Sequence, residues 1–105
     1  MERKGLDLLT VCYIMDRKYK NYVYILRCAD GTYYTGWTTD PAHRLEVHNS
    51  GKGAKYTRPR LPVEMVYLEE FDSKGEALSR EWQIKHLTRQ EKEELIDSYK
   101  GGYHG

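Results

Sequence analysis

Tyr24 and Tyr34 stand ten residues apart in the stretch 22-YVYILRCADGTYYTG-36. A phenol aimed at a substrate can donate, accept or hold a proton, whereas a phenol packed in a sheet only fills space. Arg44 and His48 follow, four apart, so on a helix they share one side. Glu81 lies among Ala77, Leu78, Trp82 and Ile84, which at 100° per residue form one broad apolar arc. A carboxylate in such an arc must be paired, hydrogen-bonded or metal-bound, because burying it bare is expensive. Each residue also has a plain structural account. Tyrosine suits a half-buried sheet, and Glu81 can bridge to Lys85 or to an arginine across the core.

Whether the two phenols cooperate depends on the elements that carry them. Residues 22–28 and 32–38 are strands by their aromatic and β-branched content, joined across Ala29-Asp30-Gly31. A two-residue Asp-Gly loop pairs Ala29 with Thr32 and sends Tyr24 and Tyr34 to opposite faces. A three-residue loop with Gly31 in the left-handed position pairs Cys28 with Thr32 instead. Leu26 then faces Tyr34, Tyr24 faces Gly36, and both phenols share a face with room beside the Tyr24 ring. Glycine at the third loop position favours this second register, although Asp-Gly is also a strong two-residue turn.

Further along, Asp40 and Pro41 open a helix that Gly51 can end. Residues 50–62 form a glycine-rich basic loop, and 63-VEMVYLEEF-71 is a third strand. Ser73 with Glu76, and Thr88 with Glu91, make capping boxes for helices reaching about Leu87 and Tyr99. The expected fold is α+β: a small three-stranded antiparallel sheet flanked by helices, in the order β-β-α-β-α-α.

At 105 residues, with 39% apolar and 31% charged side chains, the chain is expected to form one domain. Residues 1–20 are expected to be a flexible extension, with Met15 a second plausible start, 21–99 the domain, and 100–105 a frayed tail. Asp7 interrupts the apolar opening and no A-x-A site follows, which argues against a signal peptide. No apolar run approaches the roughly 20 residues that span a bilayer. Cys12 and Cys28 lack CxxC spacing, so a reducing cytoplasm is the simplest expectation. Nothing in the sequence sets an oligomeric state, and a monomer is the default expectation.

The net charge of +1 gives no global sign of a polyanionic partner, but its distribution does. Residues 41–62 carry a net +4, and 63–76 a net −4. In the loop, Lys52, Lys55 and Arg58 can contact phosphates and Tyr56 can stack on a base. Taken by itself the loop also reads as a mobile polar linker. It is no nucleotide-cradling loop, since no GK[ST] follows a strand. The histidines make no metal set: His43 and His48 point apart, and His86 and His104 are expected at the surface.

Together the train YVYIL…YTGWTTD…R…H…GKGAKYTR…E…K resembles the GIY-YIG endonuclease domain, and among its members the small stand-alone bacterial ones. The likeness runs from about Asn21 to Ile96. It implies DNA phosphodiester hydrolysis assisted by one divalent ion, Mg²⁺ or Mn²⁺, bound by Glu81. By position, Tyr24 ends the first half of the motif and Tyr34 begins the second. Arg44 matches the helix arginine, and His48 the polar residue one turn later. Under this likeness Tyr34 is the general base, Tyr24 holds the water or a phosphate, and Arg44 opposes charge developing on the phosphoryl group. Lys52, Lys55, Tyr56, Arg58 and Lys85 are the expected nucleic-acid contacts. Tyr22, Thr35 and Trp37 depart from the motif. The alternatives are a non-catalytic nucleic-acid-binding module on the same fold and, further behind, a structural adaptor. RNA stays open as a substrate. Glu81 favours the enzyme, because a carboxylate beside bound phosphate is repulsive unless a cation lies between them.

Overall fold

Strand β1 (Asn21–Arg27) sits in the middle of the sheet, and its sequence shows why. Val23, Tyr24, Ile25 and Leu26 form an unbroken apolar run, and all four are buried. A strand covered on both faces reads as such a run rather than as an alternation. The partners β2 (Tyr33–Thr38) and β3 (Glu64–Phe71) both pair with it antiparallel, giving the order β2-β1-β3. This computed structural model describes residues 20–99. The expected flexible extension and frayed tail lie outside the described residues, apart from Lys20, whose ammonium is 2.7 Å from Asp72.

The hairpin takes the three-residue register. Cys28 N–H donates to Thr32 O at 2.8 Å, Gly31 N–H to Cys28 O at 2.9 Å, and Gly31 has φ +84°. That left-handed conformation costs glycine little and other residues about 1 kcal/mol. Leu26 therefore pairs with Tyr34 and Tyr24 with Gly36. On the other side of β1 the ladder slips between Ile25 and Leu26, leaving Val66 as a bulge in β3.

Helices cover both faces of the sheet. Helix α1 (Pro41–Asn49) starts where Asp40 accepts from His43 N–H at 3.2 Å, and stops at Ser50 before Gly51, φ +84°. Its Leu45 packs in the cluster of Tyr24, Leu26, Cys28, Val63 and Met65. Cys28 is buried and free. Helix α2 (Lys74–Lys85) covers the opposite face, where Ala77 and Ile84 pack against Val23, Ile25 and Tyr67. Helix α3 (Arg89–Tyr99) joins the same cluster through Leu95, Ile96 and Tyr99. Thr88 and Glu91 cap α3 reciprocally, at 2.8 and 3.1 Å. The order is β-β-α-β-α-α, an α+β fold.

One expectation about α2 fails. Leu78 and Trp82 are not part of its buried arc: they are 40% and 62% exposed. The line of contact runs through Ala77 and Ile84, seven residues apart, and the three-stranded sheet is too narrow to cover the rest of the arc. Arg80 fixes the rotation from the far side. It donates to Glu69 Oε1 at 2.9 Å, and the Tyr67 hydroxyl donates to the same oxygen. Burial, then this carboxylate, pushes the Tyr67 phenol up to about 12. Glu81 thus lies at the border of the contact line rather than in the middle of an apolar arc.

Candidate active site

The chosen register aims both phenols at one place. Tyr24 and Tyr34 have ring centroids 6.5 Å apart, and each ring stands edge-on to His48, at 5.9 and 5.3 Å. Gly36 makes room for this. A Cβ there would overlap the Tyr24 hydroxyl and lie 2.6 Å from its Cζ. Tyr24 is 1% exposed and His48 fully buried, so their polar atoms must find partners inside the protein.

They do, in one chain of hydrogen bonds. The Thr57 hydroxyl donates to Ala54 O at 3.0 Å. Its single proton thus spent, Thr57 Oγ1 accepts from His48 Nδ1–H at 2.9 Å. This assigns the proton of the imidazole to Nδ1 and leaves Nε2 to accept from the Tyr24 O–H, 3.0 Å away. Arg44, one helical turn before His48, brings its guanidinium close enough to the Tyr24 phenol to favour its ionised form. Burial raises the Tyr24 phenol above the usual tyrosine range, opposed by the neighbouring Arg44 guanidinium. Burial, with the Arg44 charge, lowers His48 below the usual histidine range. Both groups are therefore neutral at pH 7.

The loop 50–62 closes over this pair and is no free linker. Gly53 lies against the imidazole: a Cβ there would be 2.5 Å from His48 Nδ1 and 2.8 Å from its Cα. Asn49 clamps the far end, its side chain bonding Val63 N–H at 2.8 Å and Val63 O at 3.0 Å. A short 3₁₀ turn, Arg58–Arg60, brings Arg60 to Asp30 at 3.0 Å and over the Tyr56 ring at 3.9 Å. Tyr56 in turn stacks on Tyr34, centroids 6.2 Å apart and planes at 18°. Arg60 thus already covers a face of the ring expected to stack on a base.

Glu81, on α2, lies near enough to Tyr24 for its negative charge to add weakly to the effect of burial on that phenol. One carboxylate oxygen, Oε2, is 3.4 Å from Lys85 Nζ, and the side chain is 18% exposed. Oε1 takes no hydrogen bond among the described residues. No group of three or more metal-ligating side chains converges among the described residues. A half-buried carboxylate with one oxygen spare suits a hard ion that keeps most of its water.

Of the expected site residues, Tyr24, Tyr34, Arg44, His48 and Glu81 come together, with Lys85 and Tyr56 at their border. Lys52, Lys55 and Arg58 are exposed on the loop and make no ion pair among the described residues. Sequence reasoning missed Thr57 and Gly53. The signal for both was the loop itself: a threonine and a glycine in a segment otherwise rich in bases.

The match with the GIY-YIG catalytic domain covers residues 20–94. A UPF0213 protein of Clostridium perfringens is 58% identical over 78 residues, 74% of this chain and 84% of that protein. One from Halobacterium salinarum is 56% identical over 76 residues, covering 72% of this chain and 99% of its own length. Among solved structures, the UPF0213 protein of Bacillus halodurans, determined by NMR in solution, has a TM-score of 0.53 at 51% identity, covering 80% of this chain and 89% of that one. A protein of E. faecalis, also solved by NMR, has a TM-score of 0.55 at 43% identity, covering 82% and 92%. With the matched segment spanning the hairpin, both site helices and the closing loop, the chain belongs to the GIY-YIG catalytic-domain family, alongside the small UPF0213 proteins.

Proposed function

We propose that the chain is an endonuclease that hydrolyses DNA phosphodiester bonds with the help of one divalent ion. The observation that supports this most directly is the meeting of two phenols, a neutral imidazole, a guanidinium and a carboxylate at the β2 edge. A module that only bound DNA would gain nothing from Glu81 beside a phosphate.

The two tyrosines divide the work by burial. Tyr24 donates its O–H to His48 Nε2, and burial keeps it neutral, so its oxygen can still accept from a water. Tyr34 is only half-buried and opens onto a surface cavity, so it takes the proton of the attacking water. Lys85 lines the same cavity, so a cation stands beside the phenol that would act as base. Arg44 opposes the negative charge that grows on the phosphoryl oxygens. Glu81 would hold Mg²⁺ or Mn²⁺, which when bound supplies Lewis-acid stabilisation of the leaving oxygen.

The test compares wild type with Glu81→Ala on plasmid, branched and single-stranded DNA, with Mg²⁺, Mn²⁺ or EDTA. Metal-dependent nicking by the wild type alone is the expected result. Tight binding without cleavage of any substrate would establish the binding module instead.

A further inference from the structure

Beside Tyr34 lies a cavity of about 260 Å³ lined by Tyr33, Tyr34, Thr35, Tyr56, Lys85 and Lys92. Its walls mix residues from both faces of β2, so it sits on the free edge of that strand. Two of its six lining residues are cations and none is acidic. Lys92, on α3, is half-buried and makes no ion pair among the described residues. Two acids near the cavity have partners of their own. Glu93 pairs with Arg89 at 3.0 Å and accepts from the Tyr33 hydroxyl at 3.3 Å, while Glu81 takes Lys85.

An ammonium that lines a cavity with no acid among its walls offers its charge to whatever anion enters there. Lys92 is such a group: among the described residues no carboxylate pairs with it. The cavity is below the roughly 300–1,000 Å³ of drug-sized sites, which suits a phosphate with its sugar. Tyrosine walls admit the apolar edge of a deoxyribose and their hydroxyls can bond phosphate oxygens.

We infer that this cavity is a backbone subsite, in which Lys92 and Lys85 hold a phosphodiester group flanking the one that faces Tyr34. The inference rests on the endonuclease reading for its scissile phosphate, but binding itself needs neither metal nor turnover. A bound flanking phosphate fixes the strand along the β2 edge and so sets which bond meets Tyr34 and Arg44. It also explains why a lysine on the last helix, remote in sequence from the motif residues, faces the site.

The experiment measures DNA binding by fluorescence anisotropy in EDTA from 50 to 200 mM salt, for wild type, Lys92→Gln, Lys92→Arg and Lys74→Gln. Lys74 lies outside the cavity, over the Trp37 ring at 4.9 Å, and controls for loss of a charge. Lys92→Gln is expected to lower the log–log salt slope by about 0.7–0.9, one phosphate contact, and Lys92→Arg to restore it. In a parallel NMR titration of the wild type, thymidine 3′,5′-bisphosphate should shift the amides of Tyr34, Lys85 and Lys92. An unchanged slope in Lys92→Gln, a fall equal to that of Lys74→Gln, or bisphosphate shifts confined to the 50–62 loop would each overturn the subsite. Cleavage by wild type decides the enzyme separately. An active protein with an unchanged Lys92→Gln slope loses only the subsite, and an inactive one with the expected slope loses only the enzyme.

Discussion

At the scale of single residues, the hydrogen-bond chain from Ala54 through Thr57 and His48 to Tyr24 makes the sharpest demands. Thr57→Val preserves shape but leaves His48 Nδ1–H buried without an acceptor, at a cost of about 1–3 kcal/mol. Thr57→Ser keeps the hydroxyl and should recover most of the loss. Chemical denaturation measures the stability. The ¹⁵N shifts of His48 measure the tautomer, which should become mixed in the valine variant only. His48 also sets a pH dependence. Its folded affinity for a proton is lowered by burial and by Arg44, while Tyr24, Tyr34 and Thr57 face it from β1, β2 and the loop. The unfolded chain therefore binds the proton more readily, near the ordinary histidine value of about 6.5. Stability is then full above that pH and declines as pH falls toward the lowered folded value. Thermal melts of wild type between pH 7.5 and 5 should show this decline, and His48→Gln should flatten it. A steeper fall in the variant would contradict the assignment.

At the scale of elements, the hairpin and α2 explain which residues meet. Gly31 sets the loop length, loop length sets the register, and the register puts Gly36 rather than a side chain opposite Tyr24. Gly36→Ala should cost about 1–3 kcal/mol, as overpacking does, and should abolish activity even where the protein stays folded. The measurement is a denaturation curve alongside a cleavage assay; a stable and active variant would mean that the Tyr24 ring can move aside freely. Helix α2 is held by Ala77 and Ile84 against the sheet and by Arg80 on Glu69. Both partners of that ion pair are about one-third exposed, so Arg80→Ala should cost no more than about 1 kcal/mol. Because the pair sets the rotation that aims Glu81, the same variant should lose more activity than stability.

At the scale of the whole molecule, the opposed charges of the middle and the following block are resolved very differently. Glu64, Glu69 and Asp72 are paired with Arg27, Arg80 and Lys20. In the basic loop, among the described residues, only Arg60 is matched, by Asp30. Lys52, Lys55 and Arg58 are left for a partner, on the side that closes over Tyr34. Neutralising these three together should lower the salt slope of DNA binding by about 2–3, with little effect on folding, since all three are exposed. An unchanged slope would mean that the loop serves the site only through Thr57 and Gly53. Among the described residues no helix is long and apolar enough to cross a membrane.

The sequence by itself determined the order of the elements and their caps, and it favoured the loop that puts Tyr24 and Tyr34 on one face over a two-residue Asp-Gly turn; the structure decided that register. These follow from local rules: a capping side chain bonds its own first turn, a left-handed glycine selects one loop, and strand side chains alternate. It also marked out Arg44, His48 and Glu81, since spacing along a helix translates directly into a shared side. Tertiary structure alone decided what each group touches. Leu78 and Trp82 stayed outside because the burial of a helix depends on how wide a sheet it meets, which its own periodicity does not encode. Thr57 and Gly53 reached His48, and Lys92 the cavity beside Tyr34, across a loop or several elements, and no local pattern distinguishes a threonine that orients an imidazole from one that merely lines a loop.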